Sequence, residues 1–148
     1  MSLQNKVDQD LKQATLAKNE VKISTLRFLK SALKYSAIEK KSDELSDAEV
    51  CQIISKQIKQ HQESIAQFTQ GGRKELVAKE TEEVKILESY LPQQLSDGEL
   101  EATVRAQIQE SGAFSKKDFG KVMKLLTNKL AGKAESRRIS ALLTKLLN

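Results

Sequence analysis

Residues 46–72 have the sequence SDAEVCQIISKQIKQHQESIAQFTQGG, which predicts the longest helix of the chain. Ser46 and Glu49 have the spacing of a capping box, in which the two side chains satisfy N–H groups at the start of a helix. Gly71 and Gly72 end the pattern. We therefore expect a helical rod of about 22 residues and ~33 Å. Its apolar side chains recur at every third or fourth position on one face, at Val50, Ile54, Ile58, Ile65 and Phe68.

Helical patterns continue on both sides of this rod. A first helix is predicted to begin near Ser2, a second to cover residues 20–39 and a fourth to cover residues 73–91. The chain has one proline, and no stretch shows the alternation of β-branched and polar residues that is typical of strands. The predicted fold class is therefore all-α. The two-glycine turn predicts that the third and fourth helices form a long antiparallel hairpin.

The second predicted helix carries two apolar stripes. Leu26, Leu29 and Leu33 form one of them. A helix with two apolar faces packs on two sides, so we expect this helix to lie at the centre of the N-terminal half. The second stripe consists of Phe28, Tyr35 and Ile38.

Pro92 marks a boundary between two helical regions. The residue before a proline disfavours the helical conformation, so the fourth helix is expected to end there. Ser96 and Glu99 then repeat the capping-box spacing and predict a new helix. The predicted domains are residues 1–92, which include the helical hairpin, and residues 93–148, a small tail.

The tail is predicted to contain three short helices. Their apolar periodicity places them at about residues 97–110, 116–130 and 135–147. Gly112 and Gly132 separate them, as glycines commonly do at the ends of helices.

Composition indicates an ordinary folded chain in a reducing compartment. No run approaches the roughly 18 consecutive apolar residues of a membrane span, so no membrane partner is expected. The N-terminus lacks the apolar core of a secretory signal peptide. Cys51 is the only cysteine, which excludes an internal disulfide. We therefore expect a cytoplasmic protein.

Residue patterns of catalysis are absent from the sequence. His61 is the only histidine, and its place on the apolar stripe of the third helix favours a packed or interface role over catalysis. Cys51 has no second cysteine for a zinc site or a redox pair. No glycine-rich phosphate loop occurs. We therefore predict no catalytic residues, no metal site and no cofactor.

Positive charge is concentrated at the C-terminal end of the chain. Residues 1–92 carry a net charge of +1, whereas residues 93–148 carry +4. Within residues 112–148, nine Lys or Arg residues stand against two Asp or Glu residues, a net charge of +7. A basic end on a nearly neutral body indicates a polyanionic partner.

The tail cations are predicted to lie away from the apolar seam of the last two helices. Phosphates would be attracted to such a surface by charge and counterion release, without reading of bases. Two interpretations stay open at this point: a nucleic-acid contact and an ordinary solvated face. We call this set the basic surface, and it consists of Lys117, Lys121, Lys124, Lys133, Arg137 and Arg138.

Three segments of the chain resemble the GatB/YqeY family, and the similarity extends over essentially the whole sequence. They are residues 25–34, TLRFLKSALK; residues 86–96, ILESYLPQQLS; and residues 118–123, DFGKVM. The Tyr-Leu-Pro-x-Gln-Leu pattern in the middle segment is specific. The resemblance implies a two-domain helical protein with an N-terminal helical hairpin region and a three-helix tail.

The tail is similar to the last domain of the B subunit of the glutamine-dependent tRNA amidotransferase, which helps to hold tRNA. The resemblance therefore implies a non-catalytic, tRNA-associated accessory protein that contacts tRNA through Lys121 and Lys133. A protein-interaction module that recruits the amidotransferase or another translation component is the alternative. Family association also suggests carbon–nitrogen ligase activity with glutamine as amide donor, but the chain is too short for the catalytic domain.

The chain departs from the family pattern at two places. The family commonly has a proline after the sixth helix, near Thr127 and Asn128, and none occurs here. Its Gly-Lys/Arg-Ala-Asp-Gly turn is replaced by residues 132–136, GKAES. Ser136 thus stands where the family has a glycine that tolerates positive φ, so the resemblance does not imply the family's turn geometry or a close backbone contact with RNA at this position.

Overall fold

The structure is a computed structural model, and it describes residues 2–113 and 115–147. Across these residues the chain forms seven α-helices and one short 3-10 turn, without strands, so the predicted all-α class is confirmed. None of the helices in these ranges combines the length and the apolarity needed to cross a bilayer. The helices are α1 (Leu3–Leu16), α2 (Glu20–Lys40), α3 (Asp47–Gln70), α4 (Lys74–Glu88), α5 (Asp97–Ser111), α6 (Phe119–Lys129) and α7 (Ser136–Leu146).

Contacts divide the chain into two compact units. The N-terminal unit ends at Leu91 and contains α1 to α4, and the C-terminal unit begins at Pro92 and contains α5 to α7. That residues 1–92 and 93–148 are independently folding domains stays a prediction.

Both predicted capping boxes are confirmed, and each begins a helix. At the start of α3, the Ser46 hydroxyl accepts from the Glu49 N–H at 3.2 Å, and the Glu49 carboxylate accepts from the Ser46 N–H at 3.1 Å. Ser96 and Glu99 form the same pair at the start of α5, at 3.2 and 3.3 Å. These bonds satisfy donors that a helix start leaves free.

The N-terminal unit is built around the predicted helical hairpin. α3 and α4 are joined through Gly71, Gly72 and Arg73, and they pack against each other. Gly72 has φ +70°, the left-handed conformation that glycine adopts without penalty. The buried core of this unit draws on all four helices, with fully buried members at Val7, Leu26, Leu29, Val50, Ile54 and Leu87.

α2 contacts each of the other three helices of the N-terminal unit, as its expected central position predicts, but the expectation that both of its apolar faces are packed is wrong within this unit. Leu26, Leu29 and Leu33 are buried in the core. Phe28, Tyr35 and Ile38 lie on the opposite side and are 60%, 66% and 67% exposed. α1, α3 and α4 of the unit all contact α2, and the burial shows that they cover the leucine side. Sequence periodicity identifies apolar faces but does not count the helices available to cover them.

The C-terminal unit is a three-helix body with its own core. α5, α6 and α7 pack on one another around Val104, Val122, Leu126, Ile139 and Leu143. The predicted helix over 116–130 differs at its start, where Lys116–Asp118 form a 3-10 turn before α6. The Ser115 hydroxyl accepts from the Lys117 N–H at 3.3 Å and so tightens this first turn.

Candidate functional site

The basic surface occupies three elements of the C-terminal unit. Lys117 lies in the 3-10 turn, Lys121 and Lys124 lie on α6, and Lys133 lies in the turn between α6 and α7. The two arginines are the second and third residues of α7. All of these side chains are exposed except that of Arg138, which is half-buried.

α6 separates its cations from its apolar residues. Val122 and Leu126 are buried, while Lys121 and Lys124 are exposed. At about 100° per residue, Lys121 and Lys124 lie within ~60° of each other on the outer face. Leu125, the residue after Lys124 on α6, is also exposed. The sequence patterns did not identify this large apolar side chain, which lies among the cations.

α7 repeats this separation. Ile139 and Leu143 are buried, while Arg137 and Lys145 are exposed. Since the buried faces of α6 and α7 share one core, their cations necessarily lie on the outer sides of the two helices. The cations of α6 and α7 are therefore exposed, and the apolar residues of both helices lie on the sides that form the core.

Arg138 has a structural role that sequence analysis did not identify. One of its guanidinium nitrogens, Nη2, donates to the Leu95 carbonyl oxygen at 3.1 Å and pairs with Asp97 Oδ1 at 2.8 Å. These bonds tie the last helix to the start of the C-terminal unit. Nη2 of Arg138 is thus already bonded to two groups of the protein.

The turn between α6 and α7 is held by the segment that follows Pro92. The Gln94 side-chain amide donates to the Gly132 carbonyl oxygen, and the Leu95 N–H donates to the Lys133 carbonyl oxygen at 2.9 Å. These bonds give the Pro-x-Gln-Leu pattern a structural role, because its Gln and Leu fix the backbone beside Lys133. That pairing joins residues 38 positions apart, so local patterns could not reveal it.

Ser136 lies outside the left-handed part of this turn. The positive φ, +78°, falls on Gly132, whereas Ser136 is the first residue of α7 and follows the extended Glu135. No left-handed residue is therefore needed at position 136 in this turn. Thr127 and Asn128, where the family commonly has a proline, lie inside α6.

Five members of the basic surface form no ion pair within the part of the chain that the structure describes. Among residues 2–113 and 115–147, the ion pairs of the C-terminal unit are Arg105–Glu101 and Arg138–Asp97. No described carboxylate pairs with the other members of the basic surface, Lys117, Lys121, Lys124, Lys133 and Arg137.

A second group of polar side chains lies between α3 and α4, and we call it the His61 cluster: His61, Glu80 and Glu83. His61 Nδ1 contacts a carboxylate oxygen of Glu80, and His61 Nε2 lies 4.0 Å from Glu83 Oε2. The side chains are 15%, 20% and 13% exposed. Burial, followed by the negative charge of Glu80, raises the pKa of Glu83. The sequence patterns show no sign of a group of metal ligands around the single histidine, because His61, Glu80 and Glu83 become neighbours only when α3 and α4 pack as a hairpin.

Comparison with known proteins identifies related sequences. Residues 4–147 match the family described as Yqey-like protein. Proteins named "Altered inheritance of mitochondria protein 41, mitochondrial" are also similar. The Kluyveromyces lactis protein is 40% identical over 55% of this chain and 44% of its own length. The Vanderwaltozyma polyspora protein is 33% identical over 77% and 65%, and the Lachancea thermotolerans protein is 34% identical over 65% and 52%.

The names of these relatives correct one expectation. They designate mitochondrial proteins, which contradicts the cytoplasmic location expected from the sequence. A lone cysteine and a missing apolar leader do not distinguish the cytoplasm from mitochondria, because mitochondrial transit peptides are amphipathic and basic. The chain spans 44% to 65% of the length of these three relatives.

The family match extends over nearly the entire chain, including both helical units and the turn that carries Lys133. It agrees with the resemblance found in the Tyr-Leu-Pro-x-Gln-Leu segment. The chain belongs to the family of Yqey-like proteins.

Proposed function

We propose that this protein binds tRNA through the basic surface of its C-terminal unit. The observation that carries the proposal is the separation of charge on α6 and α7. Lys121, Lys124 and Arg137 are exposed on helices whose opposite faces form the apolar core. A ligand with regularly spaced phosphates fits such a surface better than a small anion, because the cations are spread over three elements.

The proposed contact is to the phosphate backbone and not to base edges. Lysine acts as a flexible point charge, and lysines make up four of the five members of the basic surface that have no partner among the described carboxylates. Contacts of this kind position a nucleic acid without reading its sequence. Recognition would then depend on the shape of folded RNA.

Arg138 has a different role in this proposal. Its bonds to Leu95 and Asp97 hold the start of the C-terminal unit against α7. It is therefore a positioning residue for Lys133 and Arg137, since the segment it holds also bonds to the Lys133 carbonyl. We expect direct phosphate contact from the other five members of the basic surface.

Salt dependence of tRNA binding tests the proposed mode. If four or five phosphates are neutralised, log affinity against log salt concentration should have a slope of about −3 to −5. The measurement is fluorescence anisotropy of labelled tRNA with the full chain from low to physiological salt. A slope near zero, or no binding at low salt, would overturn the proposal.

A protein-interaction module is the second candidate, and Leu125 favours it. This exposed apolar residue lies on the outer face of α6 among the cations, where it gives an acidic protein surface an apolar anchor. The partner in this case would be the tRNA amidotransferase or another translation component. The Leu125→Ser variant separates the two candidates: reduced protein capture with unchanged tRNA affinity favours the protein partner.

A further inference from the structure

We propose that the His61 cluster binds a divalent transition-metal ion of the zinc class between α3 and α4. The cluster lies in the N-terminal unit and is separate from the basic surface. The proposal does not depend on tRNA binding.

The distances between the ligand atoms of the cluster support the proposal. A ring nitrogen of His61 and one carboxylate oxygen each from Glu80 and Glu83 all lie within 4.8 Å of one another. Metal–ligand bonds of roughly 2.0–2.2 Å require ligand atoms about 3–4 Å apart. To share one ion, the three ligand atoms would have to move from separations of up to 4.8 Å to this range, with a single ring nitrogen of His61 as the ligand.

The two helices hold the ligands in place from opposite sides. Glu80 and Glu83 are three residues apart on α4, so they share one face of that helix. His61 lies on α3, the helix that packs against this face. Helical bundles build metal sites from glutamates and histidines that project inward from facing helices.

The ligand types select the class of metal. One imidazole nitrogen and two carboxylate oxygens suit zinc and its neighbours, whereas calcium and magnesium prefer oxygen ligands alone. Three protein ligands leave at least one position of a tetrahedral ion open for water or an anion. The site would thus be able to bind a further small ligand at the metal.

A buried side chain one helical turn from the cluster carries a polar atom without a described partner. Gln57 lies one turn before His61 on the same face of α3 and is only 4% exposed. Its Oε1 atom has no hydrogen-bond partner among residues 2–113 and 115–147. A buried acceptor without a partner is unfavourable, so this part of α3 has an acceptor that the described side chains do not use.

A metal-free alternative explains the same contacts. Contacts of His61 with the two carboxylates can join α3 to α4 by themselves. That arrangement needs no ion, and it predicts that added metal leaves His61 unaffected. The two accounts therefore differ in one observable, the environment of the imidazole in the presence of zinc.

Because His61 is the only histidine, its imidazole resonances report on the site without assignment ambiguity. The experiment titrates ZnCl₂ into the tag-free full chain, with calorimetry for stoichiometry and NMR for the imidazole nitrogens. The expected result is one zinc per chain and a shift of a single ring nitrogen. An unmoved imidazole at millimolar zinc would overturn the proposal, whether or not zinc binds elsewhere.

Variants test the carboxylates. Glu83→Gln should weaken zinc binding by more than about 100-fold, since loss of even an outer partner of a metal ligand costs about 10- to 100-fold. Glu82→Gln is the matched control, because Glu82 is the exposed neighbour on α4. Cys51→Ala should leave affinity unchanged and excludes binding to the only thiol. Equal zinc affinity in Glu83→Gln and Glu82→Gln would contradict the assignment.

Discussion

Arg138 forms an ion pair with Asp97 across 41 residues of sequence, with Nη2 2.8 Å from Oδ1. The same nitrogen donates to the Leu95 carbonyl oxygen at 3.1 Å. A single side chain on the last helix therefore holds the residues that begin the C-terminal unit. The arginine that contributes to the charge of the basic surface is also the one that keeps the surrounding backbone in place.

Removal of this side chain should lower the stability of the C-terminal unit. Arg138→Ala is expected to reduce the free energy of unfolding by about 1–2 kcal/mol, mainly through the lost bond to the Leu95 carbonyl. The Asp97 side chain is fully exposed, so its ion pair adds little. Urea denaturation followed by circular dichroism measures the effect. Arg137→Ala is the control and should change stability by less than about 0.5 kcal/mol.

Gly132 should not tolerate a side chain. Its φ of +78° is left-handed, so Gly132→Ala is expected to cost about 1–2 kcal/mol. Gly98→Ala is the matched control: Gly98 lies in α5 and a Cβ there would meet nothing within 4 Å. Alanine in a helix should stabilise by up to ~1 kcal/mol. Thermal unfolding of both variants checks the prediction, and equal melting temperatures would contradict it.

Glu49 should contribute to the acid sensitivity of the N-terminal unit. The hydrogen bond from Lys40, with further bonds from Ser46, lowers the pKa of Glu49 from 4.5 to about 2. Since the pKa is lower in the folded state, the contribution of Glu49 to stability is present above pH 4.5 and is lost as the pH falls towards 2.

The measurement compares urea midpoints of the native chain and the Glu49→Gln variant at several pH values. The native chain should be the more stable of the two at pH 6, and the difference should shrink between pH 4.5 and about 2. Carboxylates elsewhere titrate in both proteins, so the difference isolates Glu49. A difference that stays constant over this range would be inconsistent with the Lys40 hydrogen bond.

The C-terminal unit should fold by itself. Residues 92–148 contain a separate core of buried residues from α5, α6 and α7. A unit of this size is near the lower limit for a stable fold without disulfides or metals, so a free energy of unfolding of only about 3–5 kcal/mol is expected. Circular dichroism of the isolated segment should show a helical spectrum and cooperative melting. A spectrum without helical minima would disprove the proposed domain organisation.

Sequence patterns predicted the helices well because their signals are local. The starts of α3 and α5 are predicted by two capping boxes, Ser46 with Glu49 and Ser96 with Glu99. Gly72 and Gly112 are left-handed residues near helix ends. Each of these signals lies within a few residues of the feature that it predicts. The starts of α3 and α5 could therefore be predicted without knowledge of the tertiary structure, whereas α4 ends at Glu88, before the predicted residue 91, and a 3-10 turn precedes α6.

Relationships between distant residues could not be predicted in this way. The apolar periodicity of α2 predicts that Phe28 is packed, but Phe28 is exposed. Periodicity does not show which apolar faces are covered by another helix. Arg138 was placed on the basic surface by its helical position, but its bonds to Leu95 and Asp97 depend on how α7 meets the start of the unit. His61 had no visible metal-ligating partners, since Glu80 comes beside it only when the hairpin closes.

The most direct test of the proposed function is the effect of charge reversal on tRNA affinity. The Lys121→Glu/Lys133→Glu double variant should bind tRNA about tenfold more weakly or worse than the native chain, a loss of ~1.4 kcal/mol. The control is Lys12→Glu/Lys59→Glu, which changes the net charge equally at two exposed lysines of the N-terminal unit. A selective loss in the first variant is the predicted result, and equal affinities of the two variants would contradict tRNA binding through the basic surface.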